Sequence, residues 1–449
     1  MDWFRPISRH IIHPLYVRRE GRNPYRYLRD LDRSQFFSPD QIAAIQLERL
    51  RTIVRHAYDH TEYYRKVMDQ YGLNPDSLTS LDHIRTFPIL TKDDIRNNPD
   101  SLISNLHTKE RMIYKRTGGS TSVPLKLWVD QMAYTFKEAA TLRHNSWAGY
   151  HQGDKMAALW GNTDKPRSLR EKLFGLLLAR VVFLDTLKMD APYMRAFIQQ
   201  VRDFRPTVLM GHAHSIYYFA RFVEEEGVRD LGFSGIISTA EILYDYERAK
   251  IEQVFGNILF DRYGCEELSI IASECEAHDG LHVCAEGLYV EVLDADDQYP
   301  GKLVITDLWN HGMPFIRYEI GDMATIKTDA CSCGRGLPRL GRVLGRTADV
   351  LYTPEGKAIS GISILDTFTI HVPGFKQVQV IQDLIDHLTF HVVRDDATFT
   401  DESESIFGRR VAEFFGPRMR YDIRYLDKIP QTERGKYRFS ICNIPQPKG

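Results

Sequence analysis

Residues 207–227 read TVLMGHAHSIYYFARFVEEEG, and the two halves of this stretch have different characters. TVLMG is a short apolar run of strand length, closed by Gly211. HAHSIYYFARFVEEEG has helix length, with an acidic end and a closing Gly227. The pattern predicts a strand followed by a helix, and it recurs on both sides. A helical stretch over 131–148 precedes the apolar run KMAALW (155–160). GIIST (235–239) leads to a helix over about 244–255, and NILFD (257–261) closes the series. Strands and helices in this order predict parallel strands joined by crossover helices.

The flanks differ from this centre. Residues 40–70 have helical periodicity, with Ile42, Ile45, Leu50, Ile53 and Val54 on one side and Asp40 as the expected N-cap. TKDDIR (91–96) resembles another capped helix start. MIYKR (112–116) and PLKLWVD (124–130) read as two strands around a Gly-rich turn. After 281 the chain turns to β patterns in LHVCAEGLYVEVLD, GKLVITD and FIRYEIGD. Beyond 350 come KQVQVIQD, HLTFHVVRD, a helix near 402–415 and YDIRYLD. The expected fold is α/β: a large N-terminal α/β domain with β subdomains, plus a small, mobile C-terminal α+β domain. The expected divisions are a helical region over 1–110, a core over 111–345 and the mobile domain over 346–449.

With 449 residues, 43% of them hydrophobic and 26% charged, the chain has the composition of a globular protein. A net charge of −2 offers no global attraction to nucleic acid or to an anionic surface. No apolar run reaches the 18 or so residues of a spanning helix. The opening MDWFRPISRHIIHPLYVRR has short apolar patches broken by Arg and Pro, unlike a secretory or transit signal. It is expected to be a docked surface segment rather than one lying on a membrane, and the expected location is the cytoplasm.

Five further strings suggest chemistry. KRTGGSTSVPL (115–125) carries Thr117, Gly118, Gly119, Ser120 and Thr121, donors suited to phosphate oxygens. It runs into a strand rather than a helix, so it is not a Walker loop. DRYGCEE (261–267) holds Tyr263, Gly264 and Glu267, following a strand, where α/β folds present ligand contacts. IRYEIGD (316–322) is expected to end its strand at Gly321-Asp322. GRTADVL (345–351) contains Arg346 and Asp349, and PQTERGKYRF (430–439) contains Lys436. Taken singly, these strings have plainer readings: a hairpin turn, a β-turn, a solvated basic loop.

Together, in this order, they resemble the adenylate-forming superfamily of acyl-CoA synthetases and adenylation domains, nearest to its phenylacetate–CoA ligase and CapK branch. TGGSTSVPL is similar to the superfamily's phosphate loop and STAE (238–241), with Ala240 and Glu241, to its adenine-side segment. YGCEE is similar to the Tyr-Gly-x-x-Glu motif, EIGD to the segment with the ribose-binding Asp, GRTAD to the hinge, and PQTERGKYR to the motif with the catalytic Lys. The resemblance implies ATP-dependent activation of a carboxylic acid as an acyl-adenylate, with pyrophosphate released, then transfer to CoA with release of AMP. An amide or ester ligase without CoA is the alternative. A third reading, a nucleotide-binding regulator, is disfavoured because Glu267, Asp322 and Lys436 are all present. It further implies that Thr117–Thr121 hold the β- and γ-phosphates, Glu267 holds Mg²⁺, Asp322 fixes the ribose, Lys436 acts at the α-phosphate and Asp349 is the hinge. One departure is Ser122-Val123-Pro124 where the family usually has Gly-Lys-Pro, which leaves Lys126 as the nearby cation. The partners implied are a small carboxylic acid and an acceptor, CoA or amine. A homodimer is left open.

Five of the six cysteines fall within one sixth of the chain. Cys275, His282, Cys331 and Cys333 form the expected closed structural Zn²⁺ site, with His278 and Cys284 as rivals. For the acyl pocket the candidates are Phe136, His144, Trp147, Trp160 and His212, each also readable as core or rim.

Overall fold

The structure is a computed structural model that describes residues 2–116, 125–161, 178–186, 188–294, 300–346, 350–356, 358–360, 372–396, 398–429 and 440–444. Its centre is one hydrogen-bonded sheet of eleven strands in the order β10-β11-β12-β13-β9-β8-β7-β6-β5-β3-β4. The parallel part holds β3 (Met156–Trp160), β4 (Val181–Asp185), β5 (Val208–His212), β6 (Gly235–Thr239) and β7 (Leu259–Cys265). The helices Ala191–Phe204, Ala213–Glu225 and Asp245–Phe255 make its crossovers. Their inner faces, including Phe197, Ile198, Ile216, Phe219 and Ile251, form one core with Leu159, Leu209 and Ile236. The strand–helix alternation read from residues 207–227 is therefore present.

At β7 the sheet changes direction. β8 (Ser269–Ser273), β9 (Leu281–Val283), β10 (Leu288–Leu293), β11 (Gly301–Asp307), β12 (Tyr318–Lys327) and β13 (Arg339–Arg346) all pair antiparallel. The β-rich block after residue 281 thus continues the same sheet. Two expected strand ends are not ends. β7 runs on through Tyr263 and Gly264, and β12 runs on past Gly321-Asp322. Gly321 takes a positive φ of +88°, and the register shifts between Asp322 and Ala324, so the pair makes a bulge rather than a turn.

β1 (Ile113–Arg116) and β2 (Lys126–Val129) form the expected hairpin, with Arg116 opposite Lys126 at the base of the Gly-rich segment. The N-terminal region comprises α1 (Phe4–Ile7), a π-helical turn (Ser8–Ile12), α2 (His13–Arg19), α3 (Pro24–Ser34), α4 (Pro39–His60), α5 (Glu62–Tyr71) and α6 (Lys92–Asn97). The single helix expected over 40–70 is two. Thr61 breaks it by bonding back to the Ala57 carbonyl (2.7 Å) while capping α5 at the Tyr64 amide (3.2 Å). The N-cap of α4 is Ser38, not Asp40, because a capping box with Gln41 and Pro39 at the first position satisfies the free amides. Ile42, Leu50, Ile53 and Val54 are buried, but Ile45 is only half-buried. Gln46 goes inward instead, donating to the Leu288 carbonyl at 2.9 Å. Thr91 caps α6 with Asp94 as expected. At the C-terminal end, β16 (Phe375–Leu384), β17 (His387–Arg394), β18 (Arg420–Tyr425) and β19 (Ser440–Cys442) form a four-stranded sheet. The helix Asp401–Phe415 covers it, and Val380, Phe390, Phe407 and Phe415 give it a core of its own. Between them lie β14 (Val350–Tyr352) and β15 (Ala358–Ser360). Among the described residues no helix is long and apolar enough to cross a membrane.

α7 (Gln131–Trp147) ties these parts together through Arg143. Its guanidinium makes two hydrogen bonds to the Glu286 carboxylate (2.6 and 3.0 Å) and a third to the Leu31 carbonyl (3.3 Å). Ser34 donates to the same carboxylate at 2.5 Å. Burial disfavours the Glu286 charge, but Arg143 outweighs it and holds the carboxyl below its usual range. Removing one member of such a pair leaves the other charge buried and unpaired. Arg143→Ala is therefore expected to cost about 3–5 kcal/mol of stability, measured by urea unfolding.

Candidate active site at the strand ends

Neighbouring rungs align Trp160, His212, Thr239 and Arg262 across the carboxyl ends of β3, β5, β6 and β7. This is the edge where open α/β sheets bind ligands. Trp160 packs against His212 with ring centres 4.5 Å apart. Ala240 follows Thr239 with a φ of +67°, a sparsely populated conformation for a residue with a Cβ. Glu241 then accepts from the His214 amide at the start of the helix Ala213–Glu225 (3.3 Å). Of the other acyl-pocket candidates, Phe136 stacks on Trp309 (4.1 Å) in the interior. His144 and Trp147 pack against each other with tilted rings (4.2 Å) beside Arg143.

The next residues of β7 meet the bulge of β12. The Tyr263 hydroxyl donates to the Asp322 carboxylate at 2.6 Å across 59 residues of sequence. Burial, reinforced by the Asp322 charge, drives the Tyr263 phenol well above its usual pKa, so it stays a donor. Gly264 is required by contact: a Cβ there would lie 2.5 Å from the Ser269 carbonyl of the returning β8. Glu267 sits in the β7–β8 turn, buried, and accepts from the Tyr318 hydroxyl at 3.2 Å. Arg346 pairs by backbone register with Asp322. The structure thus brings Tyr263, Gly264, Glu267, Asp322 and the Arg346 backbone together beside Ala240 and Glu241. Thr117, Gly118, Gly119, Ser120, Thr121, Asp349 and Lys436 lie outside the described residues.

Several supporting groups carried no motif in the sequence. Lys92 of α6 donates to the Ile320 carbonyl (2.7 Å), one residue before Gly321. Leu90 exchanges backbone hydrogen bonds with Arg317 and Glu319, filling a rung at the start of β12. Lys137 of α7 pairs with Asp307 at 2.7 Å. The one helpful signal was TKDDIR, which marked the helix but not the reach of its lysine.

Cys275, His282, Cys331 and Cys333 also converge, with one donor atom from each all within 4.8 Å of one another. Cys275 and Cys331 sulfurs are 3.8 Å apart, and His282 Nε2 is 3.3 Å from the Cys333 sulfur. Zn–S bonds of about 2.3 Å in a tetrahedron place sulfurs roughly 3.8 Å apart, so the spacing fits. His282 Nδ1 is 3.2 Å from the Leu337 carbonyl, and a proton there leaves Nε2 as the free lone pair. Burial lowers the His282 pKa to about 4, which keeps the imidazole neutral. The rivals are elsewhere: Cys284 lies by Arg143, and His278 pairs with Glu274 at 3.4 Å.

Residues 351–443 match the family model of the CapK C-terminal domain. The chain is 28% identical over 393 residues to a phenylacetate-coenzyme A ligase of Pseudomonas putida, covering 81% of this chain and 82% of that protein. It is 23% identical to protein CapK of Staphylococcus aureus, with 89% of each covered. The chain is thus similar to the phenylacetate–CoA ligase and CapK branch of the adenylate-forming superfamily. Its fold matches that of 2-hydroxyisobutyryl-CoA ligase in the postadenylation state with R3-HIB-AMP, at a TM-score of 0.73, 19% identity and 92% coverage of both chains.

One further carboxylate stands at the strand edge. Asp261, which sequence reasoning did not single out, accepts from the Arg262 amide (3.0 Å), and its own amide donates to Glu274 (3.0 Å). Burial, helped by the Glu274 charge and opposed by Arg248, pushes the Asp261 carboxyl up to about 7. An acid held above its unfolded value of 3.8 favours the folded state while protonated. That contribution is present below pH 3.8 and is lost as pH rises through about 7. Asp261→Asn should flatten this slope, with a melting temperature that falls less between pH 4 and 7 than the wild type's, by about a few degrees.

Proposed function

We propose that this chain activates a carboxylic acid with ATP and passes the acyl group to coenzyme A. The observation that carries the reading is the junction of Tyr263, Glu267 and Asp322 at the end of the parallel strands. In the first step a carboxylate oxygen attacks the α-phosphorus, the bond to the bridging oxygen breaks, and pyrophosphate leaves. In the second the thiol sulfur attacks the acyl carbon, the carbon–oxygen bond to the adenylate breaks, and AMP leaves.

The phenol of Tyr263 holds the Asp322 carboxylate in one orientation, the group proposed to meet the two ribose hydroxyls. Ala240 and Glu241 line the adenine side on the neighbouring strand end. Glu267, oriented by Tyr318, supplies a carboxylate for Mg²⁺, which neutralises phosphate charge when bound. Thr117 to Thr121 take the β- and γ-phosphates, and Lys436 takes the charge that builds on the α-phosphate and acid. The reading places the division after residue 345, with Asp349 as hinge, so that Lys436 serves only the first half-reaction. The similarity to the phenylacetate-coenzyme A ligase of Pseudomonas putida supports coenzyme A as acceptor. Trp160 and His212 are the proposed acyl-side contacts.

The deciding experiment supplies ATP, CoA and a panel of carboxylic acids and identifies products by mass. AMP together with an acyl-CoA thioester is expected. ADP would overturn the reading, and amide formation indifferent to CoA would replace it with the amide-ligase alternative. Lys436→Ala should slow pyrophosphate release by about 10²–10³-fold while sparing thioester formation from preformed adenylate. Equal loss in both steps would remove Lys436 from that role.

The proposal for the cysteine cluster is a structural zinc ion held by Cys275, His282, Cys331 and Cys333, closed to substrate. The purified protein is then expected to carry about one zinc per chain, and Cys331→Ser to lose it with a drop in melting temperature. Full stability in metal-free protein would count against the assignment.

A further inference from the structure

The N-terminal helix has two faces of opposite character. Its inner face is fastened: Ser8, His13 and Val17 are buried, Asp2 pairs with Arg180 (2.6 Å), Arg5 pairs with Asp154, and the Tyr25 hydroxyl meets His13 Nδ1 at 2.6 Å. Its outer face carries Trp3, Ile7, Ile11 and Leu15, which are 74%, 37%, 54% and 59% exposed. These four recur every fourth residue. In an α-helix of 3.6 residues per turn such a repeat drifts around the axis. The π-helical turn Ser8–Ile12, with its wider i→i+5 closure, takes up part of that drift and keeps them nearer one row.

Charge identifies what covers this row. Residues 1–29 contain seven arginines, no lysine, and only Asp2 and Glu20 as acids, a net +5, so the other 420 residues carry −7. Arg18, Arg19, Arg26 and Arg29 are exposed and form no salt bridge among the described residues. A row of large apolar side chains led by a tryptophan and followed on the same helix by Arg18 and Arg19 matches the boundary of an anionic bilayer. There apolar side chains enter the acyl region and guanidinium groups meet phosphates. Two copies of this face set against each other would oppose their arginines instead. We infer that the helix Phe4–Arg19, with Trp3 at its head, is a docking surface for an anionic lipid bilayer, holding the enzyme peripherally on its inner-face anchors.

The test is flotation of the full chain with vesicles of phosphatidylcholine alone, or with about 30% phosphatidylglycerol, at low and high salt. Flotation with the anionic vesicles is expected, weakening about tenfold at high salt or on neutral vesicles. Ile11→Asp with Leu15→Asp should reduce it about tenfold or more, and Arg18→Glu with Arg19→Glu should do the same. Melting temperature and ATP-dependent AMP release should be unchanged in both variants, since these side chains are exposed. Absence of flotation, or equal flotation of the variants, overturns the proposal. So does a dimer in sedimentation that Ile11→Asp with Leu15→Asp dissolves, which would assign the row to a second copy.

Discussion

β7 pairs in opposite senses on its two edges, parallel to β6 and antiparallel to β8. This backbone constraint organises the molecule. On the β6 side, pairing stops at Arg262, level with the ends of the other parallel strands, and brings Arg262 and Tyr263 to the ligand-binding edge. On the β8 side it must turn back at once, which puts Glu267 in the turn and forces a glycine at 264. The antiparallel half of the sheet then returns β12 alongside, so that Asp322 meets Tyr263. Tyr263, Glu267 and Asp322 are gathered by a single change of strand direction rather than by a loop folding over the sheet.

The second organising element is buried charge. Arg143–Glu286 and Arg317–Glu291 are both interior ion pairs with two hydrogen bonds each. Each also reaches backbone carbonyls of the N-terminal region: Leu31 for the first, Arg85 and Phe87 for the second. Burying such pairs gains little free energy in itself, because desolvation offsets their attraction. Their value here lies in register. A helix placed one turn away would leave a guanidinium or carboxylate unpaired in the interior, so the helical region has one place to sit.

Much of this was legible in the sequence for a local reason. The crossover strands are short apolar runs ended by glycine or polar residues, and their helices carry a clear apolar face, so periodicity alone separated them. The cysteine cluster was legible because sulfur and imidazole are rare and chemically specific. What escaped depends on distance or on conformation. Gly321-Asp322 reads locally as a turn, and only its pairing with β11 and β13 makes it a bulge within a strand. Asp40 looked like the cap because acidic residues favour that position, yet Pro39 needs the first helical place and hands the cap to Ser38. The partners of Arg143, Lys92 and Asp261 lie far off in sequence or act through backbone, and no spacing announces them. The phosphate-loop, hinge and Lys436 readings rest on the sequence motifs themselves.

The rung that Leu90 adds to β12 gives the helical region a different standing from that of an accessory. Among the described residues β13 pairs with β12 only from Asp322 onward, and no strand flanks the first residues of β12 on that side. Leu90 occupies the gap, and the Tyr64 hydroxyl accepts the Ile316 amide just before it. A chain trimmed to begin near residue 110 would open that edge close to Asp322, exposing backbone donors and acceptors that invite pairing between molecules. The sheet is therefore completed by a residue from the first hundred, far from β12 in sequence.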